Sequence, residues 1–432
     1  MKIQPVKGTR DFYPPEMAVR NFIIDGWKAA SVRNGFAEYD GPIFEYLKMF
    51  QIKSGDEIAE QLFNFTDRGG RALAIRPEIT PTLARMVNQK INSLPRPIKW
   101  FSVPRLCRAE RPQKGRLREF FQWNIDIIGE GEVLADAEVI FTTVDYLREV
   151  GLTADDIVVK ISSRKMLAAL LRLIGIAPDQ MDGLYGLLDK RARLPGETFE
   201  KMIAENVSDK AKREKILDLM GAGTIEEVGS VVELDAEVQE ASDELRRLFE
   251  LLDTMGVGRF CRFDIGVVRG LAYYTGMVFE IYDRGDQLRA ICGGGRFDNL
   301  LRDFGGPSIP ATGMGMGDCV LGILLEEKGL LKDAATTRRP DYFVAYADRA
   351  FLDKAIGITA KLRKSGLAAD FSYKGGGLKK QLKEASAANT KNCIIIGQEY
   401  DNGELVVKDM TTGGQEAILE DKFWAEFQGR KG

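Results

Sequence analysis

Residues 107–129 combine clustered cations with a carboxylate, a pairing that could bind a phosphorylated substrate. Five cations lie within eleven positions: Arg108, Arg111, Lys114, Arg116 and Arg118. Arginine suits phosphate because its planar guanidinium donates two parallel hydrogen bonds to phosphate oxygens. The segment then turns apolar and aromatic and reaches Asp126, a carboxylate that could bind a cationic group. On charge alone, a solvated surface hairpin is the alternative interpretation.

Alternation along two predicted strands would place the polar side chains of this segment on one face. Arg108 and Glu110 are two positions apart, so the first strand predicts that both point the same way. Gln122, Asn124 and Asp126 have the same spacing on the second strand and could form the floor of a polar pocket. A cation and an acceptor on one face could bind a phosphate and a purine amine together.

The chain contains no histidine among its 432 residues, and this absence excludes several mechanisms. A Ser-His-Asp triad, a Cys-His pair and a histidine zinc ligand are impossible. The five cysteines are scattered without a C-x-x-C pair, which argues against a zinc ribbon or a disulfide framework. Any catalysis must therefore use carboxylates, arginines, lysines, tyrosines or backbone dipoles.

At 432 residues the chain is long enough for two or three domains, and its apolar pattern predicts both helices and strands. Residues 163–254 carry apolar faces with a period of 3.6, which predicts a helical insertion. Gly221 and Gly223 in that region could indicate phosphate binding, but a helix end followed by a capping box is the preferred interpretation. Residues 338–432 alternate strands and helices and predict a small, mostly parallel sheet. With no long apolar run and no signal-peptide core, we expect a cytoplasmic location.

Several motifs, in order along the chain, resemble those of the histidyl-tRNA synthetases, a family of class II aminoacyl-tRNA synthetases. KGTRDFYPPEM resembles the N-terminal signature, and RPEIT resembles the amino-acid-binding turn of that family. The arginine segment resembles the second class II motif. VVRGLAYYTG and CGGGRFD resemble the two histidine-specific signatures. The resemblance covers nearly the whole chain and points to the sub-branch that includes plant organellar members.

The resemblance implies a fold with two parts. The first is an α+β class II catalytic domain, an antiparallel sheet flanked by helices, formed by residues 1–162 and 255–331. It is interrupted by the helical insertion at residues 163–254. The second part, residues 338–432, would be a C-terminal α/β anticodon-binding domain. Members of this family are homodimers, and Pro42 fits their dimer-interface motif.

The implied reaction joins histidine to its cognate tRNA in two steps. Histidine and ATP form histidyl-adenylate and pyrophosphate, with Mg²⁺ expected on the ATP phosphates. The histidyl group then passes to the 3'-terminal ribose of the tRNA. The attacking carboxylate is already ionised at neutral pH, so a protein without histidine can perform this chemistry by positioning and charge stabilisation.

The resemblance also implies roles for individual residues. Arg108 and Arg269 would be the catalytic residues that contact the α-phosphate, and both belong to the ATP site. Glu110 would contact the adenine, and Arg116 or another cation of the loop would supply charge to the phosphates. The histidine site would comprise six residues: Glu78, Thr80, Gln122, Asp126, Tyr273 and Tyr274. The sequence does not identify the ligands of a metal ion.

Within that site, two groups of residues would bind different parts of histidine. Glu78 and Thr80, with help from Gln122, would hold the amino group. Asp126 and Tyr274 would recognise the imidazole nitrogens, with Tyr273 beside them. Adjacent strand residues point to opposite faces, so we expect one of the two tyrosines to pack in the core.

The chain departs from the usual family pattern at three positions. Ala272 replaces an aspartate, and Val320 stands where the third motif has an arginine. Phe121 replaces a histidine and is expected to face away from the pocket. For the glycines of CGGGRFD, a tight turn and a close approach of backbone to substrate are both open.

Two other functions remain as alternatives. One is a non-catalytic paralogue that regulates ATP phosphoribosyltransferase in histidine biosynthesis; such proteins lack the anticodon-binding tail and much of the arginine pattern. The other is an RNA-binding module that uses the C-terminal region. That region holds 16 Lys and Arg against 13 Asp and Glu, an excess too small to demonstrate nucleic-acid binding.

Overall fold

A computed structural model describes residues 3–54, 62–191, 194–233, 235–268, 274–332, 334 and 339–427. The chain divides into two compact units, Met1–Ala334 and Ala335–Gly432. Within the described ranges, no helix is both long and apolar enough to cross a membrane.

A nine-stranded sheet forms the centre of the first unit. The first twelve strands of the chain are β1 (Ala37–Glu38), β2 (Phe44–Tyr46), β3 (Asn64–Thr66), β4 (Ala72–Ile75), β5 (Ile98–Ser102), β6 (Arg105–Cys107), β7 (Glu119–Ile128), β8 (Ile157–Ser163), β9 (Cys261–Phe263), β10 (Met277–Asp283), β11 (Cys292–Arg296) and β12 (Ala311–Gly317). The large sheet has the order β1-β5-β7-β12-β11-β10-β8-β9, with β6 paired to β7. Only the edge pairs β1/β5 and β8/β9 among these described strands are parallel. The prediction of an antiparallel sheet flanked by helices is therefore confirmed, with parallel pairs at its two ends.

Helices pack on both faces of this sheet, in two hydrophobic clusters. Those outside the insertion are α1 (Pro14–Arg33), α2 (Leu47–Ser54), α3 (Thr80–Lys90), α4 (Val133–Glu149), α11 (Leu300–Asp303) and α12 (Asp318–Glu327), with α5 to α10 defined below. Trp27 of α1 stacks on Trp123 of β7 at 6.2 Å between ring centroids, and Tyr146 of α4 packs edge-on against both. Gly35 terminates the first long helix in a left-handed conformation, with φ of +79°.

A hairpin around the turn DRGG, between β3 and β4, forms part of a small second sheet. Strands β2, β4 and β3 pair antiparallel in that order. Asp67 organises the turn, because its carboxylate accepts hydrogen bonds from the backbone of Gly69 and Arg71. Several large apolar side chains of this sheet are exposed, including Phe44 and Phe65, whose rings meet edge-on at 6.2 Å.

Six helices follow β8 before the chain returns to the sheet: α5 (Arg164–Leu173), α6 (Pro178–Leu188), α7 (Gly196–Asn206), α8 (Lys210–Gly221), α9 (Ile225–Val231) and α10 (Ala236–Thr254). Their buried side chains join the hydrophobic cluster of the large sheet. The Thr224 hydroxyl caps α9 by accepting from the Glu227 amide at 3.2 Å, and the Glu227 carboxylate accepts from Gly223 at 2.7 Å. The capping interpretation of this glycine pair is confirmed.

The second unit has one five-stranded sheet and three helices. Its elements are β13 (Tyr342–Tyr346), α13 (Leu352–Lys364), β14 (Ala369–Phe371), α14 (Leu378–Ala387), β15 (Asn392–Ile396), β16 (Glu404–Asp409), β17 (Gln415–Leu419) and α15 (Glu420–Ala425). The order is β14-β13-β15-β16-β17. Pairs β13/β14 and β13/β15 are parallel, whereas β15/β16 and β16/β17 are antiparallel. The predicted mostly parallel sheet is wrong for its second half, because short turns connect the last strands as hairpins.

Candidate active site

The two faces of strand β7 carry different chemistry. Trp123, Ile125 and Ile127 point into the hydrophobic core. Gln122, Asn124 and Asp126 alternate with them and share the opposite face, as the sequence predicts. In register they lie beside Gly317, Gly315 and Gly313 of β12. The polar side chains therefore border a strip of glycine, which we call the groove.

The glycines of the groove make room for these polar side chains. A Cβ atom added to Gly313 would overlap the Asp126 carboxylate, and one at Gly315 would lie 2.7 Å from the Gln122 amide nitrogen. On β11, a Cβ at Gly295 would lie 2.9 Å from the Tyr274 ring. Since CGGGR forms the strand β11, the tight-turn interpretation of its glycines is wrong.

Asp126 is a buried carboxyl group at one end of the groove. Its side chain is 2% exposed, and its Oδ2 atom has no hydrogen-bond partner among the described residues. Burial raises the pKa of Asp126 to about 8, because the charged form loses its hydration. At neutral pH the group is therefore mainly a protonated acid that is ready to receive a basic or cationic ligand.

Three more buried polar atoms near Asp126 lack partners within the described chain: Tyr39 Oη, Ser102 Oγ and Asn124 Oδ1. Trp100 and Ser102 of β5 lie directly across from Asp126 and Asn124. Burial and, secondarily, the charge of Asp126 hold the pKa of the Tyr39 phenol well above its usual value. Neither Tyr39 nor Ser102 is predicted as a site residue from the sequence, since only the pairing of distant strands brings them to Asp126.

The RPEIT turn brings Glu78 to the cation of Arg108. The Cys107 amide donates to the Arg76 carbonyl at 3.0 Å, and Arg108 Nε donates to the Pro77 carbonyl at 3.1 Å. Burial raises the pKa of the Glu78 carboxyl, and the positive charge of Arg108 opposes that shift. The geometry places an acidic group next to the main candidate cation.

The loop between β6 and β7 differs from its predicted form. Strand β6 ends at Cys107, so Arg108 and Glu110 do not alternate on a strand as predicted. The Glu110 carboxylate instead pairs with Arg116 Nη1 at 2.5 Å. Arg118 Nε donates to the Glu110 carbonyl at 3.2 Å. These contacts bend the loop back on itself, which a period of two cannot predict.

Val320 lies against the tip of the loop between β6 and β7, residues 108–118, which we call the arginine loop. Its Cγ2 atom is 3.0 Å from the position that a Cβ would take at Gly115. In place of the usual arginine, other cations approach from two sides. Arg10 forms an ion pair with Asp318 at 2.6 Å, and Arg289 donates to the Gln113 side chain at 3.0 Å.

Tyr274 lies beside the groove in the buried position expected for one of the two tyrosines. It is 7% exposed and meets Phe297 edge-on at 6.5 Å between centroids. Arg269, Ala272 and Tyr273 lie outside the described residues.

Arg164, at the start of α5, holds both described flanks of the RGLAYYT signature. Its amide donates to the Gly276 carbonyl at 2.8 Å, and its Nη1 donates to the Val268 carbonyl at 3.0 Å. Its guanidinium lies 3.6 Å from the ring centroid of Tyr185 in α6. The helical insertion therefore contacts both described flanks of the signature.

Phe121 packs on the face opposite Gln122, as predicted. Its ring is partly buried against the main core and meets Phe12 edge-on at 6.3 Å. The guanidinium carbons of Arg20 and Arg105 lie 5.2 and 4.8 Å from its centroid. The usual histidine at this position is thus replaced by a residue that packs away from the groove.

We expect Phe121→His to weaken the fold without changing the amino-acid site. A neutral imidazole would be partly buried, and the two neighbouring arginines would oppose its protonation, at a cost of about 1–3 kcal/mol. Urea unfolding should show this loss, while the KM for histidine in pyrophosphate exchange stays at the wild-type value. A changed KM with unchanged stability would place Phe121 in the pocket instead.

The chain matches known families over both units. The sequence model of the histidyl-tRNA synthetase family matches residues 8–317, and that of the anticodon-binding domain matches residues 341–430. The chain is 38% identical over 414 residues to the chloroplastic/mitochondrial histidine–tRNA ligase of Arabidopsis thaliana, covering 96% of this chain and 84% of the relative. It is 39% identical over 414 residues to the histidine–tRNA ligase of Opitutus terrae, covering 95% and 94% of the two chains.

A solved structure shows the same fold. The histidyl-tRNA synthetase of Nostoc sp. PCC 7120 superposes with a TM-score of 0.82 over all of both chains, at 22% identity. The ordered motifs, the groove of the large sheet and these matches lead to one assignment: the chain belongs to the histidyl-tRNA synthetase family.

Proposed function

We propose that this protein joins histidine to its cognate tRNA through histidyl-adenylate, with ATP as the second substrate. The observation that carries the proposal is the groove itself. A buried, unpartnered carboxyl at Asp126 lies at one end of a glycine strip, and the arginine loop lies near the other. Such a site is suited to hold an imidazole at the first end and a polyphosphate at the second.

The first step requires positioning more than acid–base catalysis. Glu78 and Thr80, with Gln122, hold the ammonium group of histidine and leave its carboxylate free to attack the α-phosphate. Arg108 and Arg269 stabilise the negative charge that develops on that phosphate. The bond from phosphorus to the bridging oxygen breaks, and pyrophosphate leaves.

The arginine loop serves the nucleotide. Glu110 accepts from the adenine amine, and Arg116 or Arg289 supplies the charge that Val320 cannot. The Glu110–Arg116 ion pair of 2.5 Å must then open or shift as ATP enters. Both partners are one-quarter to two-fifths exposed, so water screens the pair and limits the cost of that change.

A magnesium ion fits this site as a companion of ATP. Within the described part of the chain, no three His, Cys, Asp or Glu side chains form a metal cluster. Glu280 of β10, which is 8% exposed and in register with Gly293, is a carboxylate on the groove face. We propose that phosphate and water oxygens supply most ligands and that Glu280 supplies a carboxylate. The ion would neutralise phosphate charge.

We also propose that the enzyme is a cytoplasmic homodimer. The small sheet and its flanks expose a patch of apolar side chains, which in a monomer would remain in water: Ile43 (62%), Phe44 (54%), Tyr46 (57%) and Phe65 (44%). Pro42, the residue of the dimer-interface motif, directly precedes this patch. All five cysteines are unpaired, which supports a reducing compartment.

The domain roles follow the boundaries predicted from the sequence. Residues 1–162 and 255–331 perform catalysis, residues 163–254 form the helical insertion, and residues 338–432 bind the anticodon. The second unit carries its own sheet and core, which supports a separate binding role for it.

A charging assay tests the transfer step. With histidine, ATP and total tRNA, we expect one tRNA species to acquire histidine. Periodate oxidation of the tRNA, which destroys the terminal ribose diol, should abolish the product. A protein that forms adenylate but charges no tRNA would contradict the proposed function.

The regulatory paralogue and the RNA-binding module remain as weaker candidates. The site residues argue against both, because an RNA-binding module needs no buried carboxyl at Asp126. A regulatory protein does not need an arginine loop that packs against the RPEIT turn.

A further inference from the structure

Four buried polar atoms that have no hydrogen-bond partner among the described residues belong to side chains on the groove face near Asp126. These atoms are Tyr39 Oη, Ser102 Oγ, Asn124 Oδ1 and Asp126 Oδ2. An unsatisfied buried polar atom costs about 1–3 kcal/mol, so proteins rarely keep several together without a ligand. Asp126 was expected in the site, whereas Tyr39 has no assigned role.

The strand register brings Tyr39 to this end of the groove. Tyr39 follows β1, and its amide continues the ladder by donating to the Phe101 carbonyl at 2.9 Å. Ala37, two residues earlier, pairs with Trp100, and Trp100 pairs with Asp126. Residues in direct register share a face, and so do residues two apart on a strand. Tyr39 therefore shares the face of Asp126.

The surroundings of Tyr39 fix its ring, and no described residue offers its hydroxyl a hydrogen bond. The ring lies 5.5 Å from the Trp100 ring and packs with Ile79 of the RPEIT turn in one apolar cluster. The adjacent Asp40 carboxylate is already paired with Arg76 at 2.6 Å. The Tyr39 side chain is 8% exposed, so bulk water does not satisfy the hydroxyl.

We propose that Tyr39 is a specificity-determining residue, whose hydroxyl binds the substrate side chain together with Asp126. Asp126 accepts a hydrogen bond from one nitrogen of the imidazole. The Tyr39 hydroxyl, which can both donate and accept, binds the polar edge of the same imidazole next to Asp126. The electrostatic influence of Asp126 on Tyr39 supports their proximity. This inference rests on the proposed function, since it assumes that histidine occupies the groove.

A single-atom change tests the inference. In Tyr39→Phe, we expect the KM for histidine in pyrophosphate exchange to rise about 10- to 100-fold, as for loss of one hydrogen bond to a polar substrate group. The kcat and the KM for ATP should change less than threefold. The thermal midpoint should stay equal or rise, because the variant removes an unpaired buried hydroxyl.

Tyr146→Phe is the matched control. Tyr146 is also buried and its hydroxyl has no partner among the described residues, but it packs on the core side of the same sheet against Trp27 and Trp123. This variant should keep the wild-type KM for histidine.

Each remaining outcome overturns the inference. These outcomes are a KM within twofold of wild type in Tyr39→Phe, an equal rise in both variants, or a lowered midpoint in Tyr39→Phe, which would reveal a structural partner. A wild-type protein that shows no histidine-dependent exchange would instead overturn the proposed function.

Discussion

Replacing Arg108 with alanine is expected to slow histidyl-adenylate formation by about 10²- to 10³-fold, because a fixed cation near the reacting phosphate is lost. Arg108 is held for this role by the Pro77 carbonyl at 3.1 Å and by the face of Phe120 at 5.1 Å. Histidine binding measured by calorimetry should change little in comparison. Stopped-flow measurement of a single adenylation turnover reports the chemical step directly.

Lys114→Ala is the control for Arg108. Lys114 belongs to the same loop, but its side chain is 70% exposed and its partner Glu327 lies 3.4 Å away at the surface. We expect its adenylation rate to stay within a few-fold of wild type. Arg269→Ala should show a loss like that of Arg108→Ala. A normal rate in Arg108→Ala would remove this arginine from the reaction.

Replacing Asp126 with asparagine is expected to raise the KM for histidine by two orders of magnitude or more, with a much smaller change for ATP. The buried carboxyl would lose its charge-assisted bond to the imidazole, and a buried charged partner is worth more than a neutral one. Equal losses for both substrates would indicate that Asp126 only supports the fold.

The pH dependence of histidine binding should carry the signature of Asp126. Its pKa of about 8 leaves the free carboxyl protonated at pH 7, while free imidazole, with a reference pKa of about 6.5, is mostly neutral. The complex holds one proton between the two groups. Affinity should therefore be highest between about pH 6.5 and 8 and fall outside that window, where binding must take up or release a proton. In Asp126→Asn the decline above pH 8 should disappear.

The stability of the folded protein provides the control. Asp126→Asn should weaken histidine binding but raise the stability of the fold at pH 8. The folded pKa of Asp126 is raised above the unfolded value near 4, so the folded state loses stability as the pH rises from about 4 toward 8. Asp126→Asn removes that penalty, so the variant should unfold at a higher temperature than wild type at pH 8. A variant that loses both histidine binding and stability would contradict this account.

The alternation of side chains along a strand was sufficient to predict one wall of the groove. Gln122, Asn124 and Asp126 lie on one face because β7 is regular for ten residues. The same rule failed at Glu110, where the Arg116 ion pair bends the chain after Cys107. Local spacing therefore predicts side-chain direction only where the ladder of strand hydrogen bonds continues.

Residues that depend on contacts distant in sequence could not be predicted. Tyr39 follows a strand of two residues, too short to recognise, and reaches Asp126 only through the pairing of β1 with β5 and β7. Likewise, Arg164 lies in a helical segment but holds the Val268 and Gly276 carbonyls about 100 residues later. The antiparallel orientation of β16 and β17 could not be predicted either, because composition does not distinguish a hairpin turn from a crossover connection.

Histidine-dependent exchange of pyrophosphate with ATP tests the central claim most directly. The purified full-length chain would be incubated with ATP, Mg²⁺, labelled pyrophosphate and each of the twenty amino acids in turn, without tRNA. The proposed function predicts label in ATP with histidine and background with the other nineteen, and loss of the signal in Arg108→Ala. No exchange with histidine, or exchange with any of the other nineteen amino acids, would contradict it.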